Sequence, residues 1–125
     1  MSPVSEIVLV VDDDAAVRAA LKFALEVEGF NVRLYDGPEA VLADPSLPQR
    51  ACLVVDYRMP GIDGIELVDR LRARHVTLPA ILISARVSNQ LRRQAERAGL
   101  SHVLEKPLSD AALVESIRTA LGPPA

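Results

Sequence analysis

Three consecutive acidic residues directly follow an apolar run near the start of the sequence. The run Val8-Leu9-Val10-Val11 ends in Asp12, Asp13 and Asp14. Two carboxylates about 5 Å apart repel each other by roughly 3 kcal/mol at an effective dielectric constant of 20. A domain of this size is stabilised by only about 5–15 kcal/mol in total. A cluster of acids at the end of a buried strand therefore requires a compensating cation.

Other residues capable of chemistry stand directly after further apolar runs. Asp56 follows "CLVV", Ser84 ends "AILIS", and Lys106 follows "HVLE". Carboxylates without a His or Cys cluster favour a hard ion, Mg²⁺ or Mn²⁺, which usually completes its shell with water and phosphate oxygens. An ammonium group can neutralise a phosphoryl oxygen, and a hydroxyl can donate a hydrogen bond to another. Together these side chains are suited to phosphoryl transfer.

Strands and helices that would position these residues alternate along the chain. The apolar, β-branched runs predict five strands, at Ile7–Val11, Asn31–Leu34, Ala51–Val55, Ala80–Ile83 and His102–Leu104. The segments between them, and the one after the last, have the apolar spacing of amphipathic helices. The alternation predicts an α/β fold, a three-layer (βα)5 sandwich with a five-stranded parallel sheet. Ligands bind such sheets at the carboxyl ends of the strands, where the polar residues stand.

Several acids are better explained as helix caps than as part of a site. Asp14 is predicted to cap the first helix rather than to bind a metal, because Asp is a strong N-cap residue. Asp36, with Glu39 three positions on, is predicted to cap a short second helix. Asp63 is predicted to cap the third. The site is thus expected to draw on Asp12 and Asp13 but not on Asp14.

The composition limits the kinds of protein that this chain can be. Its 125 residues, half of them hydrophobic, predict one domain over residues 1–125, with a core from Ile7 to Leu121 and a tail at 122–125. The net charge of -3 argues against direct binding of nucleic acid. Cys52 is interpreted as a small core residue. Neither a signal peptide nor an apolar stretch of membrane-spanning length is visible, so a cytoplasmic location without a membrane partner is expected.

The ordered motifs resemble the receiver domain of two-component response regulators, across essentially the whole chain. They are Asp12-Asp13, Asp56 before "RMPGIDG", Ser84-Ala85 and Lys106-Pro107. The resemblance implies a flavodoxin-like fold in which Asp56 is the phosphoacceptor. It would take a phosphoryl group from a histidine kinase or a phosphotransfer protein, and Ser84 and Lys106 would contact that group.

The resemblance also implies a metal site and a backbone feature. Asp13 and Asp56 would bind Mg²⁺, or Mn²⁺, directly with the backbone carbonyl of Arg58, and Asp12 would act through a metal-bound water. Lys106 would precede a cis proline, Pro107; an X-Pro bond is the type that tolerates cis.

The resemblance implies that the domain transmits a signal. Phosphorylation would change the face made by the fourth helix, the fifth strand and the fifth helix, which would meet an output domain or a partner protein. Homodimer formation on phosphorylation, a role as a phosphorelay and an output domain beyond residue 125 are left open by the sequence. Val103 stands where receivers typically carry an aromatic residue, which puts the family's aromatic switch in doubt here.

Two other functions compete with this interpretation. A metal-dependent phosphatase of the haloacid-dehalogenase type also uses an aspartyl nucleophile, a later Ser or Thr, and a Lys, and Asp12 and Asp14 could mimic its D-x-D signature. That class needs an acidic pair after the lysine, where this chain offers only Asp110. A constitutive interaction domain would not need the intact acids, hydroxyl and lysine. A signalling phosphoacceptor that assists its own phosphotransfer and autodephosphorylation, rather than an enzyme, is therefore predicted.

Overall fold

The computed structural model describes residues 6–122, in which five strands alternate with five helices. The strands are β1 (Ile7–Val11), β2 (Asn31–Tyr35), β3 (Cys52–Asp56), β4 (Ala80–Ser84) and β5 (His102–Glu105). The helices are α1 (Ala15–Val27), α2 (Pro38–Ala43), α3 (Gly64–Ala73), α4 (Asn89–Arg97) and α5 (Asp110–Leu121). The first five residues and residues 123–125 of the predicted tail lie outside the described part of the chain.

All five strands lie parallel in one sheet, in the order β2-β1-β3-β4-β5. The predicted three-layer α/β fold is confirmed. Because the chain winds outward in both directions from β1, the order reverses between β1 and β3, the position at which such sheets leave a crevice for ligands. The crevice lies at the carboxyl ends of these two strands, directly above Asp12 and Asp56.

Side chains of the three central strands alternate between two cores, one on each face of the sheet. Leu9, Val11 and Leu53 pack with α2, α3 and α4. Val8 and Val10 pack with α1 and α5 on the opposite face, in the same core as Cys52, which is fully buried as expected. Two-sided burial explains why these strands are apolar at nearly every position. Within residues 6–122, the helices are too short or too polar to cross a bilayer.

The predicted bounds differ from the structure mainly at the strand ends. Four predicted strands stop one residue early, and β3 also begins at Cys52 rather than at Ala51. The missed final residues include Asp56, which pairs in register with Ile83, and Ser84, which pairs with Glu105. A polar residue after an apolar run resembles a strand terminator, but here backbone pairing continues through it.

Two of the three predicted helix caps are confirmed, and one is wrong. The Asp14 carboxylate accepts the backbone N–H of Ala16 at 2.9 Å, and that of Asp63 accepts from Glu66 at 2.9 Å. The N-cap residue of α2 is Gly37 and not Asp36, so no side-chain hydrogen bond caps this helix. Pro38 at the first helical position supplies the helical φ angle and removes one N–H that a cap would have to satisfy.

Candidate functional site

Three carboxylates meet in the crevice between β1 and β3. Asp12 and Asp13 follow β1 directly, and Asp56 is the last residue of β3. One carboxylate oxygen from each lies within 4.8 Å of the others, a grouping that could hold a metal ion. Asp12 and Asp56 are 4% and 8% exposed, whereas Asp13 faces solvent. The arrangement has two buried acids at its base and an opening on the side of Asp13.

A cation of the protein itself reaches this cluster from the end of β5. The Nζ atom of Lys106 lies 3.2 Å from Oδ1 of Asp56. The peptide bond between Lys106 and Pro107 is cis, as predicted. The backbone N–H of Lys106 donates to the carbonyl of Ser84 at 2.9 Å, which continues the pairing of β4 and β5 up to the lysine. One ammonium group thus compensates part of the negative charge of the three acids.

The hydroxyl of Ser84 is buried at the end of β4 and is already hydrogen-bonded. Its Oγ donates to the backbone carbonyl of Arg86 at 2.8 Å and accepts the N–H of the same residue at 3.4 Å. A second contact holds the same loop, because the Glu105 carboxylate accepts the N–H of Val87 at 3.3 Å. Ser84 is therefore at the expected edge of the sheet, with its hydroxyl turned towards the β4–α4 loop.

Arg58 lies two residues beyond Asp56, at the start of the connection between β3 and α3. Arg58 is exposed to solvent. This connection leaves the strand end that carries Asp56 and runs to the N-cap of α3. The backbone of Arg58 is consequently close to Asp56 along the chain.

The geometry of Asp56 depends on a glycine at the first position of α3. The Gly64 N–H donates to the carbonyl of Tyr57 at 2.8 Å. A Cβ atom on Gly64 would lie 2.6 Å from the carbonyl oxygen of Asp56 and 2.9 Å from side-chain carbons of Leu82 and Val55. A Cβ carbon essentially never lies this close to another heavy atom, so only glycine allows α3 to pack directly onto the end of β3. This role of Gly64 was not identified from the sequence.

Burial raises the pKa of the Asp12 carboxyl above its ordinary value, and the Asp56 carboxylate raises it further. The backbone N–H of Asp14, which donates to Oδ1 of Asp12 at 2.9 Å, lowers the same pKa and only partly offsets the rise. In the folded protein an ionised Asp12 is thus less favourable than in the unfolded chain. Loss of hydration on burial is the main cause of this cost, and the repulsion expected from the charge cluster adds to it.

Substitution Asp12→Asn is expected to stabilise the metal-free protein at pH 7 by about 1–2 kcal/mol. This magnitude assumes that Lys106 offsets part of the Coulomb repulsion between Asp12 and the other two acids. A raised folded-state pKa means that the penalty is present at high pH and disappears as the pH falls through that pKa towards about 4. The advantage of the variant over the wild type should therefore shrink on acidification. Urea unfolding in the presence of a chelator, at several pH values, measures it.

Asp14→Asn is the matched control for this measurement. The asparagine removes one negative charge from the neighbouring position and keeps an N-cap acceptor. We expect its stability to follow that of the wild type across the same pH range. An equal gain in both variants would mean that general surface charge, and not the buried cluster, causes the effect.

A comparison with known protein families identifies the architecture of this site. The model of the response regulator receiver domain matches residues 8–118. The chain belongs to the response regulator receiver domain family. The matched range runs from β1 into α5 and includes every side chain of the cluster described above, so the receiver domain comprises the whole sheet and the crevice.

Named relatives of this receiver domain are transcriptional regulators. The transcriptional regulatory protein FixJ from Azorhizobium caulinodans is 40% identical over 121 residues, which cover 96% of this chain and 57% of that protein. The transcriptional regulatory protein CpxR from Escherichia coli is 40% identical over 116 residues, covering 91% and 48%. The receiver domain therefore corresponds to about half the length of these two regulators.

Solved structures of receivers superimpose closely on this one. The crystal structure of FixJ-N has a TM-score of 0.86 at 34% identity, with 94% of both chains covered. Full-length FixJ from B. japonicum has a TM-score of 0.85 at 39% identity, covering 94% of this chain and 58% of that one. The receiver fold predicted from the motifs is confirmed. The crevice that contains the three acids lies at the carboxyl ends of the strands in this fold.

Proposed function

We propose that this receiver domain accepts a phosphoryl group on Asp56 from a phosphohistidine of a histidine kinase or a phosphotransfer protein. The observation that carries the proposal is the buried Asp56 carboxylate, which has Lys106 at 3.2 Å and two further acids within 4.8 Å. A carboxylate oxygen of Asp56 forms the bond to phosphorus as the phosphorus–nitrogen bond of the donor breaks. The released imidazole takes up a proton, and the product is an acyl phosphate.

The surrounding residues suit the charge that develops during this transfer. The ammonium group of Lys106 is close enough to Asp56 to pair with an oxygen of the incoming phosphoryl group. The hydroxyl of Ser84 can donate to another oxygen only by leaving the carbonyl of Arg86, to which it now donates at 2.8 Å. Phosphorylation would in this way release one of the three hydrogen bonds described above that hold the β4–α4 loop.

The donor set fits Mg²⁺ or Mn²⁺, because it consists of oxygen atoms and is open to solvent at Asp13. Asp13, Asp56 and the backbone carbonyl of Arg58 would hold the ion, with Asp12 acting through a bound water. When bound, the ion supplies positive charge next to the phosphoryl oxygens. The grouping of three carboxylates with one nearby ammonium group supports this assignment, because it leaves a net negative charge at the site.

We further propose that the domain controls an output domain or a partner protein through the face formed by α4, β5 and α5. FixJ and CpxR are transcriptional regulatory proteins of about twice the length of this chain. The loop tied to Ser84 leads directly into α4, whose solvent face carries Arg92, Arg93 and Arg97. Homodimer formation through the same face on phosphorylation is part of this proposal. Val103 lies half-buried on β5 and packs against the core formed with α2, α3 and α4, in the position where receivers typically carry an aromatic side chain.

The proposal is tested by locating the phosphoryl group. Incubation with acetyl phosphate and Mg²⁺ is expected to give one adduct per chain, and none when a chelator is present from the start. Reduction of the acyl phosphate with borohydride followed by peptide mass spectrometry should mark Asp56. Continuous release of phosphate from a phosphomonoester, lost in Asp12→Asn, would favour the haloacid-dehalogenase type of phosphatase instead; no relative or structure reported above belongs to that class.

A further inference from the structure

The side chain of Arg18 reaches from the first turn of α1 back to the end of β1. Its Nη1 atom donates to the backbone carbonyl of Asp12 at 2.7 Å, in a partly buried position. A bond of this length from a guanidinium group is a charge-assisted hydrogen bond, which is shorter and stronger than a neutral one. The backbone N–H of Arg18 also donates to the carbonyl of Asp14 at 3.0 Å. Arg18 therefore contacts the acidic segment on both sides of Asp13.

The carbonyl that Arg18 holds belongs to the peptide group joining Asp12 to Asp13. Because a peptide group is planar, fixing its oxygen fixes the plane from which the Cα atom of Asp13 departs. The two other polar groups of Asp12 are held as well. Its backbone N–H donates to the backbone carbonyl of Tyr35 at 3.2 Å, and its carboxylate accepts the backbone N–H of Asp14 at 2.9 Å. Asp13, the exposed member of the cluster, is thus oriented through its neighbour.

We propose that Arg18 is a positioning residue that directs the Asp13 carboxylate towards a divalent cation in the crevice. This inference rests on the proposed function of the site. Residues that orient metal ligands without touching the metal typically change its affinity by about 10-fold to 100-fold when they are replaced. The charge of Arg18 acts in the opposite direction, because a guanidinium group near the site repels a second cation. Geometry and charge therefore predict opposite effects of removing it.

The test is the Mg²⁺ affinity of Arg18→Met, Arg18→Lys and wild type, measured by isothermal titration calorimetry at a temperature where circular dichroism shows each to be folded. Positioning predicts that Arg18→Met binds Mg²⁺ about 10-fold more weakly than wild type, with Arg18→Lys between them because it keeps a donor. Charge alone predicts tighter binding by Arg18→Met. Unchanged or tighter binding by Arg18→Met would overturn the proposal.

Lys22→Met is the matched control, since it removes the same charge one turn further along α1. Lys22 is paired with Glu26 at 2.9 Å on the surface, so this variant should keep the wild-type affinity within about two-fold. In an Asp13→Asn background, Arg18→Met should cause no further loss, and a full additional loss would contradict the route through Asp13. Arg18→Leu, which also removes the donor, replaces Arg18→Met if that variant does not fold.

The experiment separates this inference from the proposed function. A wild-type chain that binds no Mg²⁺ would overturn the metal site and the role of Arg18 together. A wild-type chain that binds Mg²⁺ as tightly as Arg18→Met would overturn only the role of Arg18. Electron paramagnetic resonance of bound Mn²⁺ provides a second readout, independent of phosphoryl uptake.

Discussion

Replacement of Asp56 by asparagine is expected to abolish phosphoryl uptake from acetyl phosphate. The amide is neutral and offers no carboxylate oxygen to attack phosphorus, and it ends the ion pair with Lys106 at 3.2 Å. The free energy of unfolding should change by less than about 1 kcal/mol, because loss of a partly exposed ion pair is offset by weaker repulsion from Asp12 and Asp13. Intact-protein mass spectrometry measures the adduct, and urea unfolding measures the stability.

Asp63→Asn is the matched control for this substitution. Asp63 lies in the same β3–α3 connection, but its carboxylate caps α3 through the N–H of Glu66, and asparagine caps helices equally well. This variant should take up the phosphoryl group as the wild type does. If Asp56→Asn still acquires a stable adduct, another acid is the acceptor, and the proposed role of Asp56 is wrong.

Substitution Gly64→Ala is expected to destabilise the protein by about 3 kcal/mol, at the upper end of the usual cost of overpacking. The added methyl carbon would lie 2.6 Å from the carbonyl oxygen of Asp56, so the helix, the strand end or both must move apart. Since the strand end carries Asp56, the proposed acceptor, phosphoryl uptake should fall as well, even where the variant is folded. Chemical unfolding followed by an uptake assay below the unfolding transition measures both effects.

Gly37→Ala provides the comparison. Gly37 is also buried at the start of a helix, but its backbone is extended and a Cβ atom would meet only Glu39, at an ordinary 3.5 Å. We expect a change of less than about 1 kcal/mol and normal uptake. Equal destabilisation of both variants would show that the loss of glycine, rather than contact with Asp56, is responsible.

The sequence predicted the position of the acids well, because parallel strands bring their carboxyl ends to one edge of the sheet. Asp12, Asp13 and Asp56 form one cluster, and Lys106 reaches it, although Lys106 is fifty residues beyond Asp56 in the chain. The alternation of strands and helices, which predicts a parallel sheet, is sufficient for this inference, since it does not depend on individual side-chain conformations. The separate role of Asp14 as a helix cap also followed from local sequence.

Features that depend on particular contacts were not accessible from the sequence. The sequence favours Asp36, a strong capping residue, as the N-cap of α2, although Gly37 occupies the N-cap position. The predicted strand before Asp56 ends one residue too early, because no local sequence pattern indicates that backbone pairing continues through a buried charged residue. The bond from Ser84 to Arg86 likewise depends on a rotamer, and the space beside Gly64 on how closely α3 approaches β3.

The ion pair between Lys106 and Asp56 has a consequence for how the domain behaves between signalling events. Because Lys106 pairs with Asp56 at 3.2 Å, part of the negative charge in the crevice stays compensated when the surrounding ion concentration drops. A divalent ion bound as proposed would add to this compensation, and its occupancy would follow the composition of the medium. The ion would then be required for the proposed transfer step alone, which does not consume it.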